Sequence, residues 1–216
     1  MLAFAGAGAG ARQFVPPAGY TGTPGPGVVS PAEPGTPALR RIPDADLAGL
    51  FKLNPTYSRA ANAHLKVVGA FEVAETSDVR LVDAWAPGFL PVTLKFSDGR
   101  CFSLAADYTG GTLSNGRLHA VSCGERKTYA PSAAKPADAS LRYIGGSWGY
   151  GAWTDDKTGT TLVSAPETET FEPLFTTKMA VNAIMAMNGI DWPGGNITLV
   201  GRIDGRLTVV TLEVGF

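Results

Sequence analysis

Three side chains near the middle of the chain are the best candidates for acid–base chemistry. Asp107 and Tyr108 lie at the start of a predicted loop, residues 108–116, and His119 follows that loop. A carboxylate and an imidazole that are held close together can exchange protons with a substrate near neutral pH. These residues are the basis of a hydrolase hypothesis, for which no cofactor is expected.

Both cysteines of the chain lie in the same region, about one predicted hairpin apart. Cys101 and Cys123 are predicted to form a disulfide, which would close a loop of roughly 20 residues and contribute about 3 kcal/mol in the chain-entropy model. The alternative is a zinc site in which the reduced cysteines meet His119, four residues before Cys123 on the same strand face. The disulfide is the preferred interpretation, and no metal is expected.

Two letter patterns match known motifs, but their surroundings argue against both. Residues 145–149 match the serine-hydrolase elbow, which needs a helix after Ser147 and a later histidine. The chain continues instead with a predicted strand, and no histidine follows. Residues 6–11 match the dinucleotide fingerprint by letter, but Pro16 and Pro17 prevent the helix that would meet the pyrophosphate.

A cluster of aromatic residues lies in the predicted strand 141–153. It consists of Tyr143, Trp148, Tyr150 and Trp153. If the sheet leaves this face open, the rings form a platform that stacks on sugars or on another apolar partner. The alternative is that the rings are part of the core, because aromatic side chains bury a large area.

Charge and hydropathy exclude two classes of function. The 216 residues include 18 basic and 19 acidic side chains, a formal net charge of -1. Without a basic stripe to neutralise phosphates, nucleic-acid binding is not expected. No apolar run approaches the roughly 18 residues that a membrane-spanning helix needs.

The N-terminal residues favour export. Residues 1–11 read MLAFAGAGAGA, a short apolar run followed by small residues, as at the end of a signal peptide. A disulfide also needs an oxidising compartment. The expected location is therefore periplasmic or secreted, with the cytoplasm as the alternative.

Proline and glycine content divides the chain into two parts. Residues 1–38 contain the leader and a Pro/Gly-rich segment, which is predicted to be an extended strap or disordered. Residues 39–216 are predicted to form a single domain. The polar stretch 124–140 is the candidate for an internal linker.

Alternation and turn residues predict several hairpins. Residues 64–73 alternate so that Phe71 and its apolar partners share one face and Glu72 lies on the polar face. The stretch 91–124 is predicted to be a three-stranded antiparallel unit. Its first turn leaves two registers open: Phe96 lies opposite Cys101, or opposite Phe102 with a bulge.

The last hairpin is the strongest structural prediction. Residues 196–203 and 206–213 flank Asp204-Gly205, a two-residue turn signal. In that register Leu199 opposes Val210, Ile197 opposes Leu212 and Val200 opposes Val209. Apolar pairs on both faces predict a hairpin in the interior of a sheet.

Two helices complete the predicted fold. The first is expected at about 43–53, with Pro43 in its first turn, and the second at about 173–188, with Pro173 at its first position. The second is apolar on nearly all sides, which predicts burial between layers or under a partner. The predicted class is therefore α+β, mostly antiparallel sheet in hairpins with two helices behind the N-terminal segment.

The preferred function is a non-catalytic one, as an exported structural or binding component of a bacterial cell-envelope or surface assembly. It predicts a protein partner or a homo-oligomer that contacts helix 173–188 or the N-terminal segment, and it allows a glycan ligand. One alternative is a hydrolase that acts on an envelope polymer. Another is a structural subunit of a virion or of a secretion machine.

Overall fold

The protein is built from three antiparallel β-sheets, as a computed structural model shows. The structure describes residues 29–30, 35–47, 49–85, 92–109, 111–124, 135–165, 170–188 and 194–215. The strands, in chain order, are β1 (Val29–Ser30), β2 (Ala38–Arg41), β3 (Phe51–Leu53), β4 (His64–Ala74), β5 (Leu81–Trp85), β6 (Val92–Phe96), β7 (Cys101–Thr109), β8 (Thr112–Val121), β9 (Leu141–Ser147), β10 (Tyr150–Asp155), β11 (Thr160–Ser164), β12 (Pro173–Thr177), β13 (Ala180–Asn188), β14 (Gly194–Ile203) and β15 (Arg206–Gly215).

A central six-stranded sheet lies between the other two. Its strand order is β1-β2-β4-β15-β14-β13. One face packs on the five-stranded sheet β3-β12-β11-β10-β9 and forms the first core, and the opposite face packs on the four-stranded sheet β5-β6-β7-β8 and forms the second core. Strands β4, β13, β14 and β15 of the central sheet therefore place apolar side chains on both faces.

The hairpin β14–β15 has the predicted register. Leu199 pairs with Val210, Ile197 with Leu212 and Val200 with Val209. The first two pairs belong to the first core and the third pair to the second core. Asp204 and Gly205 both have positive φ, 50° and 77°, as a two-residue hairpin turn requires. The prediction of an interior hairpin is confirmed.

The helix predicted at 173–188 is wrong. Residues 173–177 are β12, which pairs with β11 and β3, and residues 180–188 are β13, which pairs with β14. Val181 and Ile184 point into the first core, whereas Ala183 and Met185 point into the second. A strand that is covered on both faces is a nearly continuous apolar run, and such a run does not distinguish a buried strand from a buried helix.

The helix predicted at 43–53 is also wrong. Only Asp44–Leu47 forms a short 3₁₀ turn, and Phe51–Leu53 is β3. Gly49 has a φ of 78°, a left-handed conformation that ends helical geometry. Apart from this turn the described residues contain no helix, so the predicted α+β class is wrong and the fold is all-β. None of the described segments is a helix that could cross a membrane.

The alternation of β4 is interrupted by a bulge. The register with β15 shifts so that Val67 pairs with Leu212 and Gly69 with Thr211. Before the shift Val67 packs on the first core, and after it Phe71 lies in the second. The expectation that these apolar residues share one face is wrong because the extra residue exchanges the faces.

The three-stranded unit and its disulfide are confirmed. β6 pairs with β7 and β7 pairs with β8. Leu94 pairs with Phe102, and the amide N–H of Phe96 donates to the carbonyl of Arg100 at 3.0 Å, so neither of the two predicted registers is correct. β8 begins at Thr112, within the predicted loop. Cys101 and Cys123 lie at disulfide distance, with Cα atoms 5.3 Å apart.

The two segments predicted to be irregular lie largely outside the described residues. Within 1–38, Val29 and Ser30 pair with β2 as the edge strand β1. Within 124–140, the Asp138 carboxylate accepts the amide N–H of Ser140 at 2.8 Å, in a turn that leads into β9. The leader and the letter pattern at 6–11 lie outside the described residues.

Candidate functional site

A polar cavity at one end of the central sheet is the best-defined candidate site. It has a volume of about 100 Å³ and is called the Glu72 cavity here. Its residues come from β2, β4, the β14–β15 hairpin and the chain around the 3₁₀ turn: Arg40, Ile42, Asp46, Leu47, Leu50, Glu72, Ile203, Asp204, Arg206 and Thr208.

Sheet register gathers the polar side chains of this cavity. Glu72 of β4 pairs with Arg40 of β2 on one side and with Thr208 of β15 on the other. Directly paired residues of neighbouring strands project from the same face of a sheet. Arg206 is two residues before Thr208, so it projects from the same face as well.

The 3₁₀ turn covers the cavity. The amide N–H of Asp46 donates to the Pro43 carbonyl at 3.0 Å, and Arg41 forms an ion pair with Asp44 at 3.2 Å. Leu47, at the end of the turn, is buried in the first core. The turn thereby places an apolar wall and the exposed Asp46 carboxylate opposite the charged residues of the sheet.

Glu72 is the buried charge at the centre of the site. Its side chain is 1% exposed, and its Oε2 atom accepts a hydrogen bond from Nη2 of Arg40. Nη1 of Arg206 lies 3.8 Å from the same oxygen. Burial raises the pKa of Glu72, and the charge of Arg206 opposes that shift. Burial also lowers the pKa of Arg40, as does Arg206, while Asp46 raises it.

A second ion pair lies beside the cavity. Arg202 of β14 forms a hydrogen bond with Glu75, which follows β4, and also donates to the carbonyl of Gly205 at 2.8 Å. Burial raises the pKa of Glu75, although its hydrogen bond with Arg202 opposes that shift. Arg202 thereby links the β14–β15 turn to the end of β4, whereas the Arg40–Glu72 pair links β2 to β4.

The Glu72 cavity combines charged groups with apolar walls. It offers carboxylates, guanidinium groups and apolar walls. The two histidines lie in other parts of the fold. Nε2 of His64 in β4 lies 3.5 Å from Oε1 of Glu213 in β15, and His119 is on β8. Sequence reasoning missed this site because Glu72 was predicted to lie on a solvated face. No local signal identifies its partners, which lie 32 and 134 residues away along the chain.

The structure does not bring the three candidate catalytic residues together. Asp107 pairs with Ser114 and His119 with Ser103 in the β7–β8 ladder. Ser103, the partner of His119, lies four residues before Asp107 on β7, so the Cα atoms of these two residues are about 13 Å apart. Asp107 accepts hydrogen bonds from Asn115 at 3.0 Å and Arg117 at 3.4 Å, and Tyr108 is 50% exposed. A catalytic role for these residues stays a prediction.

The four aromatic candidates do not share one open surface. Tyr150 is 1% exposed and belongs to the first core. Trp153 is buried, and its ring lies 4.7 Å from that of Tyr143 and 6.0 Å from that of Phe171. Trp148 alone projects into solvent, 53% exposed. A binding role for this set stays a prediction.

The segment 145–149 forms a hairpin turn. Trp148 and Gly149 have positive φ, 49° and 84°, and connect β9 to β10, where a single strand was predicted. The hydroxyl of Ser147 donates to the carbonyl of Ala186 at 3.3 Å. The match to the serine-hydrolase elbow is therefore a glycine-rich hairpin without a following helix.

The described residues contain no cluster of three or more histidine, cysteine or acidic side chains that is arranged to hold a metal ion. The zinc alternative is wrong for its cysteines, because Cys101 and Cys123 pair with each other.

Comparison with protein-family models, with curated proteins and with solved structures found no match to this chain.

Proposed function

We propose that the protein is a non-catalytic structural or binding component of an assembly outside the cytoplasm. The observation that carries the proposal is the Cys101–Cys123 pair, which links the start of β7 to the residues that follow β8. Disulfides persist in oxidising compartments and are rare in the cytoplasm. The apolar leader in the sequence supports the same compartment.

The position of the disulfide supports a structural role for the bond. β8 is an edge strand of the four-stranded sheet, and Cys123 lies two residues beyond its end. Cys101 is buried at the start of β7, which is an interior strand. The bond therefore fixes the end of an edge strand to an interior strand of the same sheet.

A binding role has more support than a catalytic one. The acidic and imidazole side chains proposed for hydrolysis lie at separate positions in the β7–β8 ladder. Among the residues that the structure describes, the most buried charged ones, Arg40 and Glu72, are instead paired with each other in a cavity. Paired charges with apolar walls orient a bound group, which is the work of a binding component.

The first experiment measures the intact mass of the protein from its native source. The sample is alkylated under denaturing conditions, with and without prior reduction. Two alkyl groups are expected only after reduction, and the protein is expected in the periplasmic or extracellular fraction. Immediate alkylation of both thiols in protein from the cytoplasmic fraction would overturn the proposal. The Cys123→Ser variant is the control, because Cys101 should then be alkylated without reduction.

A further inference from the structure

The Glu72 carboxylate has one oxygen that its neighbours leave unsatisfied. Arg40 donates to Oε2, and Arg206 is nearest to that oxygen too. Oε1 is buried and has no hydrogen-bond partner. A buried acceptor without a donor costs the desolvation energy of that group, and most such groups in native proteins are satisfied. The residue lines the cavity, so a donor that enters there is the natural partner.

The charges around the cavity favour a cation. Three carboxylates, those of Glu72, Asp46 and Asp204, face two guanidinium groups, those of Arg40 and Arg206. The excess of one negative charge disfavours an anionic ligand and favours a positively charged donor. The described residues offer no metal-binding cluster here, so the cation is an organic one.

The size and walls of the cavity restrict the ligand further. A volume of about 100 Å³ is well below the roughly 300 Å³ at which pockets for drug-sized molecules begin. It admits a terminal group with a short stem. Ile42, Leu47, Leu50 and Ile203 supply an apolar wall that suits methylene groups.

We propose that the Glu72 cavity binds a primary alkylammonium group. The ammonium donates a hydrogen bond to Oε1 of Glu72 and lies near the Asp46 carboxylate at the rim. The short alkyl stem packs on Leu47 and Leu50. The group can be the end of a free amine or the side chain of a lysine in a partner, because both present the same chemistry. This inference does not depend on the compartment or on the assembly role proposed above.

The test is a titration of the full-length protein with n-butylammonium chloride, followed by amide NMR and by thermal unfolding. Saturable shifts of the amides of residues 72 and 208 and a rise in the unfolding midpoint are expected. n-Butanol has nearly the same shape without the charge, and sodium chloride at equal ionic strength controls for screening. Neither control should reproduce the shifts. Absence of saturable binding, or an equal effect of n-butanol, would overturn the proposal.

Two variants locate the binding group. Glu72→Gln removes the charge with little change of shape and should weaken binding about tenfold or more. Glu75→Gln is the matched control, since this partly buried glutamate is paired with Arg202 outside the cavity, and it should leave binding unchanged. If Glu72→Gln fails to fold, Asp46→Asn at the exposed rim must weaken binding several-fold. Unchanged affinity in the variant that folds contradicts the site.

A second titration separates the two sources of the ammonium group. Nα-acetyl-lysine amide presents the side chain with its peptide flanks, and putrescine presents a free diamine. Tighter binding of the lysine derivative identifies a protein partner, and tighter binding of putrescine identifies a small amine. If neither compound binds, the alkylammonium proposal is wrong.

Discussion

The buried pair of Arg40 and Glu72 shows why a charge can remain in the interior of this protein. Removing both charges from water costs several kcal/mol for each ion, and their attraction repays that cost only when the geometry is close. Here the two residues are direct neighbours across β2 and β4. The pair as a whole therefore contributes little net stability. Loss of one partner is costly because it leaves the other charge buried and unpaired.

Replacing one partner should be far more harmful than replacing both. Glu72→Leu leaves the buried guanidinium of Arg40 without its carboxylate and should lower the free energy of unfolding by about 3–5 kcal/mol. The double variant Arg40→Met, Glu72→Leu should recover most of that loss. Urea unfolding measures all of these free energies. A double variant as unstable as the single one would contradict this account. The exposed pair Arg142–Asp156 is the control and should show a much smaller loss.

Sequence reasoning at the residue scale identified the disulfide but not the buried charges. Cys101 and Cys123 are distinctive because the chain has two cysteines, and strand prediction placed them within reach. Glu72 is one of 19 acidic residues, and alternation with the apolar Phe71 suggested a solvated face. The cavity is created by strands and a turn that are distant in sequence, so no local sequence pattern marks its position.

At the scale of elements, Gly69, which lies at the bulge in β4, lets the central sheet approach the four-stranded sheet closely. A Cβ atom placed on Gly69 would lie 2.6 Å from the Cβ of Leu113 on β8. Only glycine leaves room for that contact. The absence of a side chain at Gly69 therefore permits the close approach of β4 and β8 at this point.

Gly69→Ala should therefore destabilise the protein by about 1–3 kcal/mol, because the added methyl group forces the two strands apart. Equilibrium unfolding in urea measures the change. Gly124→Ala is the matched control, since a Cβ there meets no atom within 4 Å, and its stability should change little. If both variants are equally stable, the close approach of β4 and β8 is not what requires the glycine.

Elements with a polar face or a turn signal were predictable, and those buried on both faces were not. β11 has its predicted bounds, Thr160–Ser164, and β14–β15 was predicted from Asp204-Gly205 and its paired apolar residues. β12 and β13 have no alternation to distinguish them from a helix. The strands also belong to different sheets, and only residues 178–179 connect them.

At the scale of the whole molecule, the central sheet makes two cores depend on each other. Leu199 of β14 points into the first core and Leu207 of β15 into the second. The two strands are paired along their full length. If either core is lost, one face of the central sheet becomes exposed to water. The other core is then destabilised as well, because the same sheet forms one of its sides.

The whole protein should unfold in a single transition. Leu199→Ala and Leu207→Ala each remove a buried leucine, and each should cost about 2–5 kcal/mol. Both should shift the same thermal transition, with equal calorimetric and van't Hoff enthalpies. Two separate transitions, each sensitive to one of the variants, would show that the cores are independent.

Stability should be greatest at mildly acidic pH. Burial raises the pKa of Glu72 and Glu75 above 4.5, so the stability linked to them is full below about pH 4.5 and is lost as the pH rises through the folded values. Hydrogen bonds with Arg100 and Arg142 lower the pKa of Asp98 and Asp156 below 3.8, so their contribution is present above pH 3.8 and is lost at lower pH.

Urea midpoints measured across this pH range check the prediction. Glu72→Gln and Glu75→Gln should each reduce the loss of stability toward neutral pH, and Asp98→Asn should reduce the loss below pH 3.8. A wild-type midpoint that rises continuously from pH 4.5 to neutral pH would have the wrong sign for buried glutamates with raised pKa values.

The strand order of the central sheet also determines how early the protein can fold during its synthesis on the ribosome. β4 ends at Ala74, but its neighbour β15 begins at Arg206, and β15 is also the partner of β14. At typical rates of translation, synthesis of β15 follows that of β4 by on the order of ten seconds. Neither core can close while the ribosome is still adding β15. The nascent chain therefore remains open and exposes its apolar strands, a state that chaperones and translocation channels can hold.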